Sequence, residues 1–225
     1  MQRKQAFTLI ELLVVISIIS LLISILLPAL GSARKAARAA QCLTNQRQIY
    51  LSSQLYSGDY QDLMLPAYVG STGSTSANWW VYKISPYMNT GNIVDDTTIM
   101  RCPDWEQMPN NLRFFSYAIS RYLGYIDGNG DGQDGYPGRL ENVTQPSNIY
   151  HFADGNAGQS ANRWSWRFFS HPDASHKSGR LIDVNRHTQG ANIVFADGHG
   201  QRTPEPGNID KTLTPELFEK HYLWD

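Results

Sequence analysis

The stretch Phe7–Leu27, FTLIELLVVISIISLLISILL, runs for 21 residues with one ionisable side chain, Glu11. As a helix it rises about 31 Å, at about 1.5 Å per residue, which matches a hydrocarbon core of about 30 Å. It is therefore long enough to span a bilayer. A carboxylate in that setting costs about 2.5–3.5 kcal/mol even on insertion scales, so Glu11 reads as a functional group in need of a partner. Arg3 and Lys4 precede the stretch and Arg34, Lys35 and Arg38 follow it, so the flanking cations do not set an orientation. A secretory signal peptide has a shorter apolar region, about 7–15 residues, ending at a small-residue cleavage site. A plain one-pass anchor has no use for the acid.

Working outward from Glu11, Lys4-Gln5-Ala6 followed by Phe7-Thr8-Leu9-Ile10-Glu11-Leu12-Leu13-Val14-Val15-Ile16 resembles the amino terminus of type IV prepilins and type II secretion pseudopilins. The resemblance implies that prepilin peptidase cuts between Ala6 and Phe7 on the cytoplasmic side and that the new amine of Phe7 is N-methylated. The family usually carries Gly where Ala6 stands. It also implies a single-pass protein of the inner (cytoplasmic) membrane, its head in the periplasm or at the cell exterior, with other pilin-like subunits as partners. Electrostatics explains the pattern: the Phe7 ammonium and the Glu11 carboxylate are each costly in lipid, and a staggered neighbouring helix can pair them. Contacts that repeat head to tail without closing build an open helical filament. Glu11 is thus expected to set subunit registry during assembly.

The formal net charge of -1 argues against a protein held to nucleic acid by phosphate contacts. Outside the apolar stretch the chain is turn-rich, with 18 Gly and 11 Pro, yet 6 Trp, 12 Tyr and 8 Phe are enough to fill a core, which excludes a disordered tail. Cys42 and Cys102 are too few for a disulfide scaffold and lack C-x-x-C spacing. They pair if the domain folds in an oxidising compartment, or stand as two separate buried thiols; both readings are open.

Pro28 follows the apolar stretch, at the place where the family often kinks or melts its long helix, and then a helix-forming segment resumes at Gly31. Ala33, Ala36, Ala37, Ala40, Leu43, Tyr50, Leu51 and Leu55 lie at or near helical spacing, and Gly58 is a natural stop. One helix over about residues 7–57 is expected, its second half lying on a head. The organisation is then a leader at 1–6, a transmembrane part at 7–27, an extramembrane helix at 28–60 and a head at 61–225. In the head, apolar runs are short and bounded by turn residues. Gly70–Ser76 reads as a surface loop, and Trp79–Ile84 as a short helix or strand. Phe114–Ile119, Asn148–Ala153 and Arg163–Phe168 read as strands. The expected class is α+β, a long helix packed on a small antiparallel sheet.

Asp127-Gly128-Asn129-Gly130-Asp131-Gly132-Gln133-Asp134 places oxygen donors at alternate positions with Gly at the sixth, the first half of an EF-hand-type loop. Asp127, Asn129 and Asp131 supply side-chain oxygens for Ca²⁺ and Gln133 a backbone carbonyl. Position twelve is Gly138, so Asp134, Glu141, water or a distant group has to complete the shell. The competing reading is an Asn/Asp/Gly turn with no metal.

Near the carboxyl end, Arg186 to Gly200 has nine residues between His187 and Asp197 and resembles the H-x9-D-G module of prepilin-like proteins. Ala191–Ala196 reads as a strand, Asp197-Gly198 as a two-residue hairpin turn with both φ positive, and His199 as the start of the return strand. Phe152-Ala153-Asp154-Gly155 echoes Phe195-Ala196-Asp197-Gly198, which suggests two similar strand-to-turn corners. A hydrogen bond from His187 to the Asp197-Gly198 turn explains the spacing without chemistry. His187, Asp197 and His199 are nonetheless chemically able to bind a metal. No nucleophile elbow, phosphate-binding loop or H-E-x-x-H pattern accompanies them.

The reading that follows is a pilin-like structural subunit without enzymatic activity. Two other classes are carried beside it. One is a membrane-tethered module that captures a glycan on Trp79, Trp80, Trp164 and Trp166; the other is a metal-dependent surface hydrolase using His187, Asp197 and His199.

Overall fold

The computed structural model describes residues 8–67, 80–88, 99–104, 116–120, 138–139, 141, 143, 145–155, 167–168, 182, 186–188 and 190–203. The chain forms two units, 1–37 and 38–225.

Helix α1 (Leu9–Asp59) starts in the first unit. All of its Leu, Ile and Val side chains from Leu9 to Leu30 are exposed, at 46–79%. The stretch is long and apolar enough to cross a membrane. Its serines hide their hydroxyls by donating to carbonyls one turn back: Ser17 to Leu13 at 2.8 Å, Ser24 to Leu21 at 2.7 Å and Ser32 to Pro28 at 3.1 Å. Pro28 stays inside α1, which remains one helical element across it. The missing N–H removes one hydrogen bond, and the good helix formers on either side carry the helix through.

In the second unit α1 buries Ala39, Cys42, Asn45, Gln46, Ile49, Tyr50, Ser52, Ser53 and Tyr56, a stripe of three- and four-residue steps. This is not the stripe that apolar spacing picks out. Leu51 and Leu55 are 62% and 59% exposed, while Asn45, Gln46 and two serines are inside. These polar residues are tolerated there because each makes at least one hydrogen bond, across the packing interface or back to the helix, while Gln46 Oε1 has no partner among the described residues. The helix also runs one residue beyond Gly58. Its reversal uses Gln61 and Asp62, at φ of 57° and 62°, with the Asp62 N–H donating to the Ser57 carbonyl at 2.9 Å.

The Trp80 segment is helical: α2 (Trp80–Ile84) continues into a 3-10 turn at Ser85–Tyr87. The strands are β1 (Tyr117–Ser120), β2 (Tyr150–Asp154), β3 (Arg167–Phe168), β4 (Ala191–Phe195) and β5 (Gly200–Thr203), in sheet order β3-β1-β2-β4-β5. Four of these strands form the expected antiparallel sheet, with β1 on β2, β2 on β4 and β4 on β5. The two-residue β3 joins the β1 edge in parallel, Ile119 opposite Arg167.

Side chains alternate across this sheet. Tyr117, Ile119, Phe152 and Val194 join Cys42, Ile49, Tyr50, Tyr56, Trp80 and Ile84 in the main core. On the other face, Ala118, Ala153, Ile193, Tyr150 and Phe195 form a second cluster with Ile182. Because both faces are covered, β1, β2 and β4 are buried along their whole length and show no polar alternation in sequence. The architecture is α+β, as the element pattern predicts.

Candidate functional site

Two groups of residues bear on function, one in each unit. At the amino end, Thr8 is the N-cap of α1 and Glu11 its third helical residue. The Thr8 N–H and hydroxyl both donate to Glu11 Oε2, at 2.8 and 2.7 Å, and the Glu11 N–H donates to Thr8 Oγ1 at 3.3 Å. This is a reciprocal capping box, worth about 1 kcal/mol in ordinary helices. The signal was in the sequence as Thr-x-x-Glu before an apolar run, and reading Glu11 only as an intermolecular group overlooked it. Both bonds use Oε2; Glu11 Oε1 accepts none among the described residues. Ala6 and Phe7 lie outside the described residues.

The second group is buried where α1 meets the sheet, and Asp154 is its centre. Asp154 stands at the end of β2, fully out of solvent. Its Oδ1 accepts from Gln46 Nε2 at 2.8 Å and faces Arg186 Nη1 at 3.8 Å; its Oδ2 accepts from the Asn192 N–H at 2.7 Å and lies 3.2 Å from His187 Nε2. The two Phe-Ala-Asp-Gly stretches therefore do different work. Asp154 ends a central strand and is a buried anchor, whereas Asp197 is exposed on a turn. The difference comes from strand position, since β2 lies between β1 and β4 while Asp197 caps the β4–β5 hairpin.

His187 is buried as well, but it makes no hydrogen bond to the Asp197-Gly198 turn, contrary to the spacing argument. Its Nδ1 lies 2.9 Å from Asp104 Oδ2, and its Nε2 is shared between Asp154 Oδ2 and Cys102 Sγ, the latter at 3.4 Å. Burial opposes a charge on this ring, but the hydrogen bonds and charges of Asp154 and Asp104 outweigh it and raise the pKa above the usual histidine value. Asp104 also faces Arg38 of α1 at 3.5 Å, and Arg202 of β5 donates to the His187 carbonyl. Cys42 and Cys102 are joined in a disulfide, with Cα atoms 5.2 Å apart. Thus Arg38, Cys42 and Gln46 tie successive turns of α1 to the loop at Cys102–Asp104 and to β2.

The turn has its own attachment. Tyr50 of α1 donates its hydroxyl to the Ala196 carbonyl at 3.0 Å, and its ring lies against Gly198. Only Gly198, at φ 88°, has positive φ; Asp197 does not. The loop is a three-residue one closed by the Phe195 N–H to the His199 carbonyl at 2.9 Å, not a two-residue turn. Asp197 Oδ1 accepts from the His199 N–H at 3.0 Å and meets His199 Nδ1 at 2.6 Å, and the His199 ring stacks on Phe195 at 4.0 Å. Asp197 and His199 therefore meet on the exposed turn while His187 bonds to other acids, so the three do not come together as the alternative hydrolase reading requires.

Trp80 is fully buried, its ring 5.5 Å from Phe152, and presents no platform to a glycan; Trp79, Trp164 and Trp166 lie outside the described residues. The calcium candidates Asp127, Asn129, Asp131, Gln133 and Asp134 do too. Just beyond them, the Gly138 carbonyl accepts from the Met64 N–H at 2.8 Å, and Glu141 pairs with Arg139 at 3.3 Å. Asp104, Asp154, Gln46 and Asn192 were missed by sequence reasoning. The repeated Phe-Ala-Asp-Gly was the available signal for Asp154; the others carry none.

Residues 1–27 match the family described as "Prokaryotic N-terminal methylation motif", and residues 31–118 match the family described as "Protein of unknown function (DUF1559)". Neither match reaches the His187–Gly198 stretch. No curated protein and no solved structure matches the chain. With the methylation motif on its first residues, the long apolar helix behind it and the adjoining second match, the chain is a type IV pilin-like protein.

Proposed function

We propose that this chain is a structural subunit of a pilin-like filament, of the type II secretion or type IV pilus kind. Prepilin peptidase removes residues 1–6 and N-methylates Phe7, and the subunit waits in the inner membrane as a single-pass protein with its head on the non-cytoplasmic side. The observation that carries the reading is the Glu11 carboxylate at the start of the otherwise uncharged, exposed apolar stretch of α1, one oxygen held by Thr8 and the other accepting no hydrogen bond among the described residues. Held this way, Glu11 can take the Phe7 ammonium of a neighbour on Oε1 without giving up its cap. The apolar side chains of α1 are covered by lipid before assembly and by neighbouring helices after it.

The buried cross-links between α1 and the sheet suit such a subunit, since pulling on the helix loads the head through a disulfide and several charged hydrogen bonds. Nothing in this role calls for catalysis.

Mass spectrometry of the native chain is expected to find Phe7 as a methylated first residue. Glu11→Leu should insert in the membrane at wild-type level and fail to assemble, and Thr8→Val should assemble poorly because Glu11 loses its orientation. A native chain intact from Met1, or Glu11→Leu chains that assemble normally, would contradict the proposal.

A further inference from the structure

The disulfide between Cys42 and Cys102 has unusual company for a structural cross-link. The sulfurs of both cysteines and a ring nitrogen of His187 lie within 4.8 Å of one another, and all three residues are buried. A disulfide needs no imidazole, and an apolar side chain would fill the space at lower desolvation cost.

His187 Nε2 lies 3.4 Å from Cys102 Sγ. In a tetrahedral zinc site, with Zn–N and Zn–O near 2.0–2.2 Å and Zn–S near 2.3 Å, neighbouring ligand atoms sit about 3.3–3.6 Å apart. The opposite ring nitrogen, Nδ1, meets Asp104 Oδ2 at 2.9 Å, the carboxylate-to-histidine arrangement that orients a metal-binding imidazole. Charge is balanced too: two thiolates and a neutral imidazole around a divalent ion leave no net charge.

We propose that Cys42, Cys102 and His187 hold zinc in the reduced protein, with solvent in the fourth position, so that disulfide and zinc are alternative locks between α1 and the loop at Cys102. A dithiol reductant supplies two electrons and two protons, the Cys42–Cys102 bond breaks, both sulfurs become thiols and the reductant leaves as a disulfide. Zinc then displaces the two thiol protons and the His187 Nε2 proton to solvent. In the reverse direction a disulfide oxidant takes the two electrons, the sulfurs rejoin and the metal leaves. Sequence spacing conceals the site, because its three ligands come from α1, the loop at Cys102 and the segment before β4.

The test uses the full chain in detergent, reduced, freed of reductant under anaerobic conditions and dialysed against Zn²⁺ or Co²⁺. Reduced wild type is expected to bind one metal per chain and, with cobalt, to show a thiolate charge-transfer band and tetrahedral visible bands. The oxidised chain should bind none at this site, and reoxidation should expel the metal. Asp104→Asn, which leaves all three ligands in place, should weaken binding about 10- to 100-fold. Zinc should also raise the melting temperature of the reduced chain and not of the oxidised one. A reduced chain that takes up no metal, one that binds equally well as Cys42→Ser, or cobalt binding only by a chain lacking near-ultraviolet circular dichroism would overturn the proposal.

Discussion

Removing the disulfide is the perturbation whose size the structure sets most directly. Cys42 and Cys102 are separated by 60 residues, and closing a loop of that length removes about 14 cal/mol/K of chain entropy from the unfolded state. This amounts to about 4 kcal/mol near room temperature in the chain-entropy account. For a unit the size of residues 38–225, each kcal/mol moves the melting midpoint by about 2–4 °C, so the expected fall is about 8–16 °C. The assay is a near-ultraviolet circular dichroism melt of the full chain in detergent, with EDTA present so that metal does not hold the thiols together. Wild type is compared with and without reductant, beside the Cys42→Ser/Cys102→Ser double variant, which should melt with reduced wild type. A fall of less than about 3 °C in both would refute the reasoning. It would mean that the reduced unfolded chain keeps enough residual structure for the cross-link to remove little entropy from it.

Three other expectations follow from single residues. Neither ring nitrogen of buried His151 has a hydrogen-bond partner among the described residues, and burial lowers its pKa to about 3. The unfolded chain, with its histidine near 6.5, binds the extra proton first, so this contribution to stability is intact above pH 6.5 and is lost as pH falls toward 3. The loss is about 2 kcal/mol by pH ~5, and His151→Phe should flatten that slope in denaturant titrations; an unchanged slope would discount the neutral buried imidazole. Gly198→Ala places a Cβ 2.4 Å from Tyr50 Cε1 at a φ of 88° and should cost about 2–4 kcal/mol by equilibrium unfolding, whereas Gly58→Ala, with open space around it, should cost nothing. Millimolar calcium should raise the melting temperature, and Asp127→Ala/Asp131→Ala should abolish the rise; the spacing of the loop is what supports this, and no calcium effect would end it.

Some of this protein was open to reading from local chemistry. The apolar stretch, its lone acid and the adjoining basic residues show themselves in consecutive letters, because membrane length and charge cost depend on a contiguous segment. The strands near Tyr117, Tyr150 and Ala191 were likewise legible from short apolar runs between turn residues. The inner face of α1 was not. Apolar spacing selects Leu51 and Leu55, yet the helix turns Asn45 and Gln46 inward, because the sheet end opposite them offers Asp154, the Asn192 carbonyl and Tyr117 as hydrogen-bond partners, and Ser52 and Ser53 go inside by donating back to the Gln48 and Tyr50 carbonyls of α1.

The first 27 residues by themselves determined the pilin-like character of the chain, since the methylation motif is a linear signal and α1 needs no distant residue to be apolar. Tertiary structure alone decided that Asp154 and Asp197, in identical Phe-Ala-Asp-Gly settings, become a buried anchor and a surface turn. It also brought His187 to Asp104, 83 positions away, and to the Cys42–Cys102 bond. The physical reason is that a buried charge is stable only where partners from several separate segments converge, and that convergence belongs to the packing of α1 on the sheet.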